Sequence, residues 1–134
     1  MQLVILVVTL ALVQCIYFGI RVGSARVQYG IKAPAMSGHP VFERHLRVEQ
    51  NTQEQLLVFI PAIFMFAWQA QEAGVPFATE GAAALGVVWL IGRGLYARAY
   101  VRDPQRRGPG FMLTAIPSML LLLGTLVAVF RSLL

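Results

Sequence analysis

The sequence FERHLRVEQNTQE (Phe42–Glu54) runs directly into the apolar segment Leu56–Trp68, so that charge and hydrocarbon meet along one short piece of chain. It holds six ionisable residues in thirteen positions. Charged groups beside an apolar helix are costly to keep and mark a functional surface. At helical spacing Arg47, Asn51 and Glu54 fall at i, i+4 and i+7 and share one face. That face offers a guanidinium, an amide and a carboxylate, the complement of a small zwitterionic ligand.

The composition around this sequence is that of a membrane protein. The chain has 134 residues, of which 57% are hydrophobic and only 13% charged, whereas a soluble domain of this size needs more polar surface. Leu3–Ile20 is uncharged over 18 residues, a length that crosses about one hydrocarbon core at ~1.5 Å per residue. No basic segment precedes it and no small-residue cleavage site ends it. We therefore expect a retained first span rather than a signal peptide.

Three further segments complete the predicted architecture. The second span is Leu56–Ala70, and the fourth is Gly108–Phe130, with 23 uncharged residues. The third candidate, Gly81–Gly92, has only 12 uncharged residues, so its helix must continue through the polar residues that follow, with those groups facing other helices or water. The expected fold is an all-α, integral membrane four-helix bundle that occupies residues 1–134 as a single domain.

Proline and glycine mark the expected connections between these helices. Ile31–Pro40 contains two prolines and a glycine and is predicted to be a loop, with Pro40 entering the first turn of the next helix. A turn is predicted at Asp103–Pro104. Gly108-Pro109-Gly110 is interpreted as a second, helix-breaking turn.

Basic residues are distributed unevenly along the chain, whose net charge is +5. Ten of the eleven cations lie between the first and second spans or between the third and fourth, and the connection Gln71–Glu80 has none. The positive-inside rule assigns the basic segments to the cytoplasm and both termini to the outside, with Arg131 the single exception. We expect a multi-pass protein of a bacterial inner membrane. Nucleic acid is not expected as a partner, because these arginines flank membrane spans.

The sequence predicts neither a metal site nor a catalytic nucleophile. His39 and His45 have no partner at a ligand spacing, so no metal site is predicted. The single cysteine, Cys15, lies inside the first span and is interpreted as a packing residue. No Ser-His-Asp or Cys-His arrangement stands out. Any nucleophile must therefore be supplied by a bound molecule.

A second polar stripe is predicted on the third helix. Arg93, Tyr96 and Tyr100 are spaced i, i+3 and i+7, and Arg107 follows after the predicted turn. Taken alone, tyrosines and arginines of this kind are typical of a membrane-interface belt. The two stripes, however, lie at the same depth and on the same side, and a helical bundle brings such stripes around one cavity.

The chain resembles the MAPEG family, membrane-associated proteins of eicosanoid and glutathione metabolism. The matching motifs are Phe42-Glu43-Arg44 with Arg47-x-x-x-Asn51-x-x-Glu54 and Pro61, Ser24-Ala25-Arg26 upstream, and Arg93-x-x-Tyr96-x-x-x-Tyr100-x-Arg102 with Arg106-Arg107. The resemblance covers essentially the whole chain. It departs from the family pattern at Gln55, where several members have tyrosine, and at Glu49, which would add negative charge near the site.

The resemblance implies a homotrimer of four-helix protomers that binds glutathione, as a co-substrate, between neighbouring protomers. It implies a membrane-bound transferase that directs the glutathione thiolate at apolar electrophiles from the bilayer in detoxification, with peroxidase activity as a possible addition. Arg107 matches the arginine that stabilises the thiolate, with Arg106 as the fallback. The matching glutathione-binding positions are Arg26, Arg47, Asn51, Glu54, Arg93, Tyr96 and Tyr100.

Two other function classes remain open at the level of sequence. A small four-span transporter or channel would carry an ionisable group near the middle of a span. The first and fourth spans have none, and the charges gather at one boundary, which favours a site there. A catalytically silent relative that keeps the fold is the other alternative.

Overall fold

The computed structural model describes all 134 residues, and they form four long α-helices joined by short connections. The helices are α1 (Gln2–Gln28), α2 (Pro40–Glu72), α3 (Ala78–Arg102) and α4 (Gly108–Leu133), with a 3₁₀ turn at Pro104–Arg107 between α3 and α4. There are no strands, so the predicted all-α class is confirmed.

The helix ends follow the local chemistry of the sequence. His39 caps α2, its Nδ1 accepting a hydrogen bond from the amide of Val41 at 3.2 Å, and Pro40 occupies the first turn as predicted. Asp103 ends α3 and accepts from the amide of Gln105 at 3.1 Å, which confirms the predicted turn at Asp103–Pro104.

The prediction of a helix-breaking turn at Gly108-Pro109-Gly110 is wrong. These residues form the first turn of α4, directly after the 3₁₀ turn. Proline fits there because the first amides of a helix have no intrahelical acceptor, so the missing N–H costs nothing. The helix break lies at Asp103–Pro104 instead.

The hydrophobic core is largest at the end of the bundle that contains the α1 N-terminus. All four helices contribute to it, and the rings of Phe59 and Trp89 stack at 4.4 Å. Smaller clusters continue the core toward the charged end, one around Phe18 and Val48 and one around Phe42. The bundle is therefore packed with apolar side chains up to the level at which the polar residues begin.

Two glycines bring α3 and α4 into close contact. A Cβ on Gly92 would lie 2.6 Å from the Cβ of Leu113, and a Cβ on Gly110 would collide with the backbone of Tyr96. Small residues permit such close approach between helices. The first turn of α4 is consequently held against α3, which also holds Arg107 near Tyr100.

Two stretches are long and apolar enough to cross a membrane, Gln2–Gln28 and Pro104–Leu133. They contain the predicted first and fourth spans. The charged stretch occupies the first turns of α2, and arginines occupy the last turns of α3, so the apolar part of each is short. The second and third spans stay a prediction.

Candidate functional site

The charged face of α2 forms in the structure as the spacing predicted. The Arg47 guanidinium lies 3.5 Å from the Glu54 carboxylate. The amide nitrogen of Asn51 donates to the other oxygen of that carboxylate at 3.3 Å. The side chains of Arg47 and Glu54 are about half exposed, so this ion pair contributes little to stability and its groups are available to a ligand.

Arg93 connects this face to α3. The residue is completely buried. One terminal nitrogen donates to the side-chain oxygen of Asn51 at 3.1 Å, and the guanidinium lies 3.9 Å from the centre of the Tyr96 ring. Its other two nitrogens have no hydrogen-bond partner. Buried donors without partners are rare in stable proteins, which makes Arg93 a candidate for a ligand-binding residue.

Tyr100 and Arg107 extend the arrangement toward the end of α3. The Tyr96 and Tyr100 rings stack with their centres 5.4 Å apart, and the Arg107 guanidinium lies 5.9 Å from the centre of the Tyr100 ring. The structure thus joins seven predicted site residues into one polar cluster, made of Arg47, Asn51, Glu54, Arg93, Tyr96, Tyr100 and Arg107.

Two of the predicted residues have no contact with the polar cluster. Arg26 donates to the carbonyl of Ala35 at 2.7 Å and packs over the ring of Phe42. Arg106 is exposed, and its Nε lies 3.7 Å from a carboxylate oxygen of Asp103. The choice between Arg106 and Arg107 was open in the sequence. The geometry favours Arg107, because Arg106 pairs with Asp103.

The two departures from the family pattern lie on different faces of α2: Gln55 is only about 40° around the helix from Asn51, beside the polar cluster, whereas Glu49 is not. Glu49 accepts a hydrogen bond from Gln53. Two residues along a helix correspond to a rotation of about 200°, so Glu49 projects from nearly the opposite side of α2 to Arg47. The charge of Glu49 is therefore directed away from the polar cluster of the same chain.

Arg44 has a structural role that was not predicted from the sequence. Its guanidinium donates to the carbonyls of Val101 and Arg102 at 3.1 and 3.0 Å. It thereby satisfies carbonyls that the end of α3 leaves free and fixes the start of α2 against α3. The position of Arg44, one turn before Arg47, was the only sequence feature that pointed to it. Its partners, Val101 and Arg102, lie far away along the chain.

The polar cluster lies on the surface of the chain and does not line an enclosed cavity. Glu54 borders only a shallow depression with Gln50, Gln53 and Leu57. Arg47 and Arg107 are exposed at the surface. A ligand held by these groups would be covered by this chain on one side only.

A family model, MAPEG, matches residues 4–127. The chain belongs to the MAPEG family. Members of this family are membrane-associated, in agreement with the two apolar helices of this MAPEG protein. The family recognised in the sequence is thereby confirmed.

Three curated proteins are similar in sequence to this MAPEG protein. An uncharacterized protein of Synechocystis is 40% identical over 124 residues, covering 92% of this chain and 85% of its own. The human microsomal glutathione S-transferase 2 is 39% identical over 111 residues, covering 82% and 71%. The bovine leukotriene C4 synthase is 37% identical over 92 residues, covering 68% and 56%.

Proposed function

We propose that this MAPEG protein is a membrane-bound glutathione transferase, with glutathione as co-substrate and an apolar electrophile as second substrate. The polar cluster carries this proposal, because it gathers three arginines, a carboxylate, an amide and two phenols on one surface. Two of the relatives described above are named as a glutathione transferase and a leukotriene C4 synthase, which supports the same class of reaction.

The cluster matches the charges of glutathione, a tripeptide with two carboxylates, one ammonium group and a thiol. Arg47 is an exposed donor for one carboxylate, since guanidinium groups bind carboxylates in bidentate geometry. Arg93 is buried beside Asn51 and Tyr96, and it becomes the donor for the other carboxylate when these side chains move aside to admit the ligand. Glu54 is the acceptor for the ammonium group. The unpartnered nitrogens of Arg93 would then find an acceptor, which removes the cost of leaving them buried and unpaired.

Arg107 is proposed to stabilise the thiolate. A thiol with a pKa near ~8.5 is mostly protonated at neutral pH, and lowering that pKa by about two units requires about 2.7 kcal/mol. A fixed guanidinium beside the sulfur supplies such a term, because it favours the anion and stays charged itself. The thiolate attacks the electrophilic carbon, a carbon–sulfur bond forms, and a leaving group such as chloride departs with the electron pair.

The complete site is proposed to form between the protomers of a homotrimer that crosses the membrane four times per chain. Because the cluster covers a ligand from one side only, a neighbouring protomer has room to contribute the other side, including Arg26. The site would face the cytoplasm of a bacterium, with both termini outside. An apolar electrophile would approach from the bilayer along the helices.

Replacing Arg107 by alanine tests the thiolate assignment. We expect Arg107→Ala to lower the conjugation of glutathione to a chlorinated nitrobenzene by about 10²-fold, the loss typical of removing one preorganised donor. The matched control is Arg106→Ala, which removes the same charge one residue earlier and should keep nearly full activity. Both variants should assemble like the wild type. Wild-type turnover in both variants would overturn the assignment.

A screen over an aryl halide, a lipid hydroperoxide and an epoxide would establish the substrate class. Each reaction begins from the same bound thiolate, so Arg107→Ala should lower all activities that the wild type has.

A further inference from the structure

A second basic site lies on the other side of α3 from the polar cluster. It is a crevice of about 460 Å³ between α1, α2 and α3. We call it the basic crevice, because it is lined by Arg21, His45, Arg98 and Arg102 and by no acidic residue. None of these residues belongs to the polar cluster, and nothing in the proposed transferase chemistry uses them.

The arginines of the basic crevice form no ion pair. The two ion pairs of the chain join Arg47 to Glu54 and Arg106 to Asp103. Asp103 borders Arg98 and Arg102 in a neighbouring depression, but it pairs with Arg106. Burial, and then the nearby guanidinium of Arg21, lower the pKa of His45. The imidazole is therefore neutral at neutral pH and adds a hydrogen-bonding group rather than a fourth charge.

The walls of the crevice are apolar on the side that leads into the hydrophobic part of the bundle. Tyr17 and Phe18 line it from α1, one turn before Arg21, and Ala97 lines it from α3. Gln14, about 10 Å from Arg21 along the helix at ~1.5 Å per residue, also lines it and donates to the carbonyl of Leu90. The crevice thus has a basic end and, along the helix direction, a mainly apolar end in which Gln14 is the polar residue.

The basic end lies where a membrane surface would be. Arg21 directly follows the uncharged segment Leu3–Ile20, and α1 is one of the two helices able to cross a membrane. Basic pockets between membrane helices at that level bind anionic lipid headgroups. A free anion would use only the arginines and would leave the exposed ring of Tyr17 and the adjacent apolar wall unused.

We propose that the basic crevice binds an anionic phospholipid, with the phosphate between Arg21, Arg98 and Arg102 and an acyl chain along Tyr17 and Phe18. The lipid would link α1 to α3 at the end of the bundle where apolar packing is smallest. Its binding is independent of glutathione, so the two proposals can fail separately.

Lipid retention by the full-length protein tests the proposal. After delipidation in neutral detergent, phosphatidylglycerol or phosphatidylcholine is added and bound lipid is counted by native mass spectrometry. We expect preferential retention of phosphatidylglycerol, and about fivefold weaker binding in Arg21→Gln and in Arg98→Gln, which corresponds to about 1 kcal/mol per arginine. Lys32→Gln, which removes a charge from an exposed loop of the same end, should bind like the wild type.

Three results would overturn the proposal. Equal retention of the two lipids would remove the headgroup preference, and equal losses in Arg98→Gln and Lys32→Gln would indicate general attraction to charge. Displacement of the lipid by inorganic phosphate at the same concentration would indicate a free-anion site. If Arg98→Gln does not fold, Arg21→Gln decides, because Arg21 is exposed on α1. Conjugation activity in phosphatidylcholine should stay unchanged in these variants, which separates this test from that of the transferase.

Discussion

At the scale of single residues, Arg93 and Arg44 differ in how completely their guanidinium groups are hydrogen-bonded. A buried guanidinium with one hydrogen bond and two unpartnered nitrogens loses its hydration without full replacement. The ring of Tyr96 offsets part of that loss by a cation–π contact. Arg44 is the opposite case, because it donates to two backbone carbonyls at the end of α3. Arg93 thus has donors free for the proposed ligand, whereas Arg44 holds two helices together.

This contrast predicts different outcomes for the same substitution. Arg93→Met should leave the free energy of unfolding unchanged or raise it by about 1 kcal/mol, because apolar side chains of similar volume often replace buried charges without loss. Its glutathione conjugation should be abolished. Arg44→Met should lower the stability by about 1.5–3 kcal/mol, since charged hydrogen bonds are lost. Thermal unfolding in detergent and an activity assay give both quantities. A strongly destabilised but active Arg93→Met would contradict this reading.

At the scale of elements, the contact between α3 and the first turn of α4 sets the position of Arg107. Gly110 lies directly against the backbone of Tyr96, so that α4 begins beside the two stacked tyrosines. Because Arg107 is only three residues earlier, any displacement of this turn moves its guanidinium relative to Tyr100. The geometry of the proposed thiolate site therefore depends on a residue that carries no polar side chain.

Adding one methyl group to this turn tests that dependence. Gly110→Ala should lower the stability by about 1–3 kcal/mol through overpacking and lower the conjugation rate by more than about tenfold, since small misplacements of catalytic groups are costly. The control is Gly108→Ala in the same turn, where a Cβ would meet no atom within 4 Å. It should retain both stability and rate. Equal behaviour of the two variants would show that the close contact does not position Arg107.

The sequence predicted these elements well where a local pattern determines them. The spacing of Arg47, Asn51 and Glu54 set their common face, and Asp103–Pro104 marked the end of α3. Features that depend on contact with another helix could not be predicted from the sequence. Gly110 looked like a helix breaker because its partner is the backbone of Tyr96, and the contact of Arg107 with the Tyr100 ring of α3 forms only in three dimensions.

At the scale of the whole molecule, the polar cluster is open on one side. It lies on the surface of the chain with Arg47 and Arg107 exposed, and Arg26 lies elsewhere, against Ala35 and Phe42. A ring of identical protomers joined head to tail would bring two different surfaces together at each contact. The proposed trimer would complete the cluster with Arg26 of a neighbouring protomer at each of its contacts.

Mixed trimers test this arrangement. Arg26→Ala and Arg107→Ala chains should each be nearly inactive alone. Their co-expression should restore about a quarter of the wild-type activity under random mixing, because one site in four then has both arginines intact across its two protomers. The control is co-expression of two differently tagged Arg107→Ala chains, which should stay inactive. Mixed trimers without any recovery would contradict a site shared between protomers.

The central claim is that the polar cluster binds glutathione, and calorimetric titration of glutathione into the full-length protein tests it most directly. We expect saturable binding with a dissociation constant at or below about 1 mM, and binding weakened by about tenfold, or about 1.4 kcal/mol, in Glu54→Gln. Glu72→Gln, the same change at an exposed position near the end of α2, should bind like the wild type. The absence of binding heat at millimolar glutathione, or equal affinities in Glu54→Gln and Glu72→Gln, would contradict the claim.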